Sequence, residues 1–246
     1  TIGILAMGGA TFMGAINVGA SWTNTIELSF QARHYDMEIR LPQPYPTTQI
    51  DGILNTVPGV VSVENWAQNL AVRENPDGTD GVRFYLTGLP PATNIVDFPI
   101  IEGRWLQPGD TNALVINHEL FLDHEANIKV GDTIPLKIGN QITEWVVVGV
   151  IREVGAPRRG LGVAASAYVP IDYFTRVIGG EGITTNVRVQ TVEHDDASVK
   201  AVTQKIEQQF DAAGIRRTTI QLTTERKVVL ENHLVVIVMF LIFMAV

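Results

Sequence analysis

No charged residue precedes Glu27. The 26 residues from Thr1 to Ile26 read TIGILAMGGATFMGAINVGASWTNTI. At ~1.5 Å per residue, a helix from Thr1 to Ser21 covers roughly 30 Å, the depth of a bilayer core. Small residues recur four apart at Ala6, Ala10 and Gly14, and again at Ala15 and Gly19. That spacing opens one helix face to close approach by another helix. Trp22 falls where an interfacial aromatic belongs. The expectation is a transmembrane helix packed on partner helices. A secretory signal needs a basic start, and no Lys or Arg precedes Arg33. A core helix of this length would show a polar face, and only Thr1, Thr11, Asn17 and Ser21 interrupt this one.

The far end matches. Leu234 to Val246 (LVVIVMFLIFMAV) is 13 apolar residues, too short to span alone and consistent with the first half of a spanning helix. The two ends together imply an extramembranous loop domain between two membrane helices that meet the same membrane face. Residues 1–21 are assigned to transmembrane helix 1, 22–36 to a stalk helix, and 225–246 to a second stalk and the start of transmembrane helix 2. Trp22, Ile26 and Phe30 recur every four residues as a one-sided stripe on the first stalk, and Val228 is placed on the second.

A net charge of −8 argues against nucleic acid and against a polybasic lipid contact. The absence of cysteine excludes disulfides and thiolate chemistry.

Between the ends, MEIRL at Met37 to Leu41 alternates apolar and charged residues, a half-buried strand that Pro42, Pro44 and Pro46 should end. Thr48 is a candidate cap for the next helix, with Asp51 in its first turn. Ile50, Ile53, Leu54 and Val57 form its apolar face. A long strand from Val60 to Val72 turns at Asn75-Pro76-Asp77-Gly78 into a partner from Val82 to Leu89. Thr185 to Val192, a helix with Val199, Val202, Ile206 and Phe210 on one face, and Thr218 to Thr224 form a second strand–helix–strand unit. Asp195, Asp196 or Ser198 can cap that helix, and Gly214 closes it. The fold class is therefore α+β: a split βαβ, ferredoxin-like subdomain from residues 37–93 and 181–224, with a mostly-β insert at 94–180. The insert carries short strands at Ala113, Asp132, Glu144 and Ser166, and one helix at 118–126.

Chemical motifs are sparse. His118 and His124 are six apart, not the four that places two ligands on one helix face. The glycine-rich run around Arg158 and Arg159 lacks the Lys-Ser/Thr ending of a phosphate loop; it reads as an exposed tip, with the two arginines as a partner contact. Ser166 and Ser198 lack a nucleophile-elbow context. Trp66, Trp105 and Trp145 lie in or beside strands and read as core. No catalytic, cofactor-binding or metal-binding residue is assigned.

Several pieces of the chain, in this order, resemble the MacB/FtsX-type permeases of ABC transporters. They are the small-residue run Gly3 to Gly19, Met37 to Leu41, Val57-Pro58-Gly59-Val60, Ile101-Glu102-Gly103-Arg104, Asn117 to Leu122, Val130-Gly131-Asp132 and Val147-Val148-Gly149-Val150. The resemblance implies that the split unit is a porter-type part and the insert a sabre-type part. It implies a permease dimer, an ABC ATPase subunit carrying ATP and magnesium on a separate nucleotide-binding domain, a periplasmic adaptor or membrane fusion protein, and contact with membrane lipid. The implied role is mechanical: stalks carry the motion of ATP hydrolysis outward to the domain. A two-helix receptor with a ligand-binding outer domain is the alternative.

Overall fold

The computed structural model describes residues 13–14, 17, 19–24, 26–28, 30–118, 128–153, 166–215 and 218–245. The described residues from 13 to 31 are helical. In order there follow β1 (Met37–Pro46), α1 (Thr47–Leu54), β2 (Val60–Glu74), β3 (Asp80–Leu89), β4 (Ile100–Gly103), β5 (Ala113–Asn117), β6 (Thr133–Ile138) and β7 (Gln141–Ile151). The chain continues through β8 (Ser166–Pro170), α2 (Ile171–Val177), β9 (Ile183–Thr191), α3 (Asp196–Ala212), β10 (Thr219–Leu222) and α4 (Thr223–Ala245).

The two strand–helix–strand units interleave. Their strands lie in the order β10-β1-β9-β2, and each neighbouring pair is antiparallel. Alternation along β1 and β9 points Met37, Ile39, Val187 and Val189 to one face, where they meet Ile50 and Leu54 of α1 and Val199, Val202, Ile206 and Phe210 of α3. Asp195 caps α3 by accepting from the amides of Ala197 and Ser198, and Gly214 follows at positive φ. The capping expected at α1 differs. Pro46 precedes it without a side-chain cap, and Asp51 instead accepts from Asn65 Nδ2 at 2.7 Å. The prolines do not stop β1. The strand runs on to Pro46 while its pairing with β9 jumps from Arg40 to Tyr45, because a proline has no N–H to give the ladder.

The remaining strands close on themselves. β2 pairs β3, β3 pairs β8, β8 pairs β5, β5 pairs β7, β7 pairs β6, and β6 returns to β2. β4 adds to the outside of this ring along β7. The ring is filled by apolar side chains including Phe84, Leu86, Leu114, Leu136, Trp145 and Val147, with Phe174 of α2 packed in. β2 belongs to both bodies. Residues from Val60 to Trp66 pair β9, and those from Ala67 onward pair β3 and β6. β3, grouped with residues 37–93 in the sequence reading, pairs only with β2 and β8 and so sits in the ring.

The glycines of the Glu-Gly-Arg and Val-Gly-Val pieces face each other across β4 and β7. A Cβ on Gly149 would stand 2.0 Å from the carbonyl oxygen of Arg104, and one on Gly103, at φ +71°, would stand 2.3 Å from that of Val148. The backbones touch where no side chain fits.

Most of the transmembrane helix expected at 1–21 lies outside the described residues, and 225–246 is expected to hold only a second stalk and the start of another spanning helix. Among the described residues, no helix is long and apolar enough to cross a membrane. In α4 the reason is visible. Its first part carries Glu225, Arg226, Lys227, Glu231 and His233, and only Leu234 to Ala245 is uniformly apolar, roughly 18 Å of helix. Residues 1–12 lie outside the described part of the chain.

Candidate functional site

The first helix and α4 run antiparallel side by side. Glu27 meets Lys227 at 2.5 Å, and further along the place of a Cβ on Gly19 lies 3.2 Å from a Val238 methyl. Both helices are stitched into the domain by backbone bonds. The amide of Asp97 donates to the carbonyl of Ala32, and that of His34 to Ile95, both at 2.9 Å. The amide of Thr223, the first residue of α4, donates to Asp36, and its hydroxyl donates to the carbonyl of Tyr35.

At this anchoring point a set of charges is buried. On the face of β1 and β9 away from α1 and α3, Glu38 and Arg188 stand directly opposite, only 5% and 7% exposed. Their closest approach is 3.2 Å. Arg40 donates to Glu38 at 2.8 Å, and Arg226 reaches from α4 to 3.9 Å. The Arg188 guanidinium lies 4.6 Å from the Trp66 ring and 5.2 Å from the Tyr35 ring, and it donates to Asn186 Oδ1. Beside the other helix, Arg33 pairs with Glu153 at 2.8 Å. Asn117, at the end of β5, brackets Glu153 by donating to its carbonyl and accepting from its amide. Both helices join the four-stranded layer through the chain, the first leading into β1 and α4 following β10, but their buried charges engage different partners. α4 reaches the four-stranded layer through Arg226 and Glu38, and the first helix reaches the ring through Arg33 and Glu153.

Electrostatics fix the charge states. Burial pushes the Glu38 carboxyl up, but Arg188, Arg40 and Arg226 outweigh it, and the group is held below the usual carboxylate range. Burial pushes Arg33 down, and the Glu153 carboxylate together with Tyr35 and Tyr168 more than restores it. Tyr168 is pushed well above the ordinary tyrosine range, by burial first and then by the Glu153 carboxylate.

These residues surround a cavity of about 280 Å³ walled by Trp66, Phe98, Tyr168, Thr87, Arg33 and Arg188. A third apolar cluster, holding Ala32, Tyr35, Ile95, Val96 and Leu106 with Trp66, Phe98 and Tyr168, packs around it.

The residues singled out in the sequence distribute unevenly. Ala6, Ala10, Arg158 and Arg159 lie outside the described residues. Gly14 is exposed with open space at its Cβ, whereas Gly19 meets Val238. Ile26 is buried and Phe30 half-buried at the α4 side, while Trp22 is 44% exposed. Val228 is 52% exposed, because its neighbour Lys227 takes the position facing Glu27. Trp66 and Trp145 are buried and Trp105 half-buried. The junction charges themselves were not read from the sequence. Their signal was present: a Glu in MEIRL and an Arg in NVRVQ, each on the polar face of a strand whose other face is apolar.

The family model described as the MacB-like periplasmic core domain matches residues 1–209. No curated protein matches the chain. Among solved structures, the chain is similar to the periplasmic region of MacB from Actinobacillus actinomycetemcomitans, with 15% identity and a TM-score of 0.55 over 82% of this chain and 95% of that one. It is similar also to the extracellular domain of the noncanonic ABC-type transporter YknZ from Gram-positive bacteria, with 18% identity and a TM-score of 0.53 over 76% and 98%. The fold is shared with both, and the chain belongs to the MacB-like periplasmic core domain family, as an extracytoplasmic domain of an ABC-transporter permease of that kind.

Proposed function

We propose that this domain couples ATP hydrolysis in the cytoplasm to movement outside the membrane, with the paired helices as the stalk and the buried charge junction as the coupling point. The observation that carries this reading is the double attachment. Both helices join the four-stranded layer through the chain, where Arg226 of α4 reaches Glu38, and the first helix has a second tie, to the ring, through Arg33 and Glu153. A shift of one helix along the other therefore loads the two bodies differently. On this reading the four-stranded layer with α1 and α3 is the ferredoxin-like, porter-type part, and the closed ring is the sabre-type part. The exposed apolar run of α4, in which Phe243 is 81% exposed, leads toward the membrane. ATP and magnesium act on a partner ATPase, the permease works as a dimer, a periplasmic adaptor receives the motion, and this chain performs no catalytic step itself.

The test is a cross-link in the complete transporter. This chain has no cysteine of its own, so Gly19→Cys with Val238→Cys adds one pair within it at the observed helix contact, in a transporter whose other cysteines are replaced. Oxidation is expected to abolish transport while ATP hydrolysis continues, with recovery on reduction. Normal transport in fully cross-linked protein rejects the coupling role.

A further inference from the structure

We propose that the cavity at the junction is a binding site for a small anion, a carboxylate or phosphate monoester carried on a flat ring. Four guanidinium groups, of Arg33, Arg40, Arg188 and Arg226, line it against two carboxylates, of Glu38 and Glu153. The excess is positive although the chain as a whole carries −8. A concentration of one sign inside low-dielectric walls attracts the opposite charge far more strongly than the same groups would on the surface.

The second observation concerns hydrogen bonding. Arg188 has a side chain that is 8% exposed, and its Nε is buried with no acceptor among the described residues. Its Nη2 faces Glu38 and its Nη1 donates to Asn186. A guanidinium presents donors in a planar fork suited to the oxygens of carboxylate or phosphate, and a buried donor without an acceptor is costly.

The walls set the rest of the ligand. Trp66, Phe98 and Tyr168 are buried aromatic faces, while Thr87 and Ser166 add hydroxyls. At about 280 Å³ the space lies just under the usual range for organic ligands, so the occupant has about one ring. Arg40, Gln68 and Tyr85 are exposed, and they form the rim through which a ligand enters. Because Arg226 and Arg33 also anchor the two helices, an anion bound here would bear on the stalk. The binding claim does not rest on the coupling reading, since it is measured on this chain alone.

The experiment titrates the full chain with phenyl phosphate by calorimetry, with inorganic phosphate and the benzamidinium cation in parallel. Saturable binding of phenyl phosphate is expected, with inorganic phosphate weaker and benzamidinium showing none. The rim variant Arg40→Gln with Gln68→Glu removes the charge excess at two exposed positions, so folding is preserved. It is expected to weaken phenyl phosphate binding by about tenfold or more. No saturation up to about 10 mM phenyl phosphate overturns the proposal, as does equal binding of benzamidinium or unchanged affinity in the rim variant. Inorganic phosphate binding as tightly as phenyl phosphate overturns the ring requirement and leaves a bare anion as the ligand.

Discussion

Replacing Glu38 by Gln is expected to cost about 3–5 kcal/mol of unfolding free energy, the penalty for leaving a buried charge without its partner. The charge left behind is Arg188, with Asn186 and two aromatic rings around it and, among the described residues, no other carboxylate in ion-pair contact. Urea unfolding of the full chain measures the effect. Arg40→Gln is the control. That side chain is 63% exposed on the same carboxylate, and its removal should cost less than about 1 kcal/mol. The acid limb of the stability profile should change as well. Because the folded carboxyl is held below its ordinary value, its contribution is present above the usual carboxylate range and fades as pH falls through the lowered value. In Glu38→Gln that fading should be missing. A loss within about 1 kcal/mol of wild type, or an unchanged acid limb, would mean that Glu38 does not hold the junction together.

Gly149→Ala should be similarly severe for a different reason. The added methyl would sit 2.0 Å from the Arg104 carbonyl oxygen, and the obstacle is backbone, which cannot rotate aside. The expected loss is about 3 kcal/mol, at the upper end for overpacking. β4 should part from β7, so the amide of Arg104, bonded to Val148 at 2.9 Å, should exchange far faster in deuterium. Gly52→Ala offers the contrast. Gly52 lies in α1 with nothing near its Cβ, and alanine there should be neutral or stabilising by up to about 1 kcal/mol. Protection of Arg104 unchanged in Gly149→Ala would show that β4 stays on β7 and that the methyl is accommodated, against the steric reading.

Much of the scaffold was legible because its signals are local. Of the expected face Ile50, Ile53, Leu54 and Val57, Ile53 is half-buried and the others are buried, with Val57 just past the end of α1, while Val199, Val202, Ile206 and Phe210 are all buried on α3. Asp195 and Gly214 mark the ends of α3 through cap chemistry that depends only on neighbouring residues. The strands at Ala113, Thr133, Gln141 and Ser166 were visible as apolar runs between turns. Their closure into a ring was not, because register between distant strands is set by tertiary packing rather than by composition. α2 was missed for want of length, being seven residues directly after Pro170. The junction was missed for a related reason. MEIRL reads as one face in and one face out, and only the arrival of the stalk residues Arg33, Tyr35 and Arg226 buries the charged face. Val228 shows the limit of period alone. A stripe fixes which residues share a face, and the angle at which two helices meet decides which face is used.

The strand β2 serves one body with its first half and the other with its second. A force that draws the two bodies apart along this strand acts parallel to its ladders, so many hydrogen bonds share the strain and must give together. A force across it would open them one after another. The domain is therefore stiff to a pull along β2 and compliant to peeling, and the direction in which a stalk pushes decides whether the two halves travel as one piece or hinge.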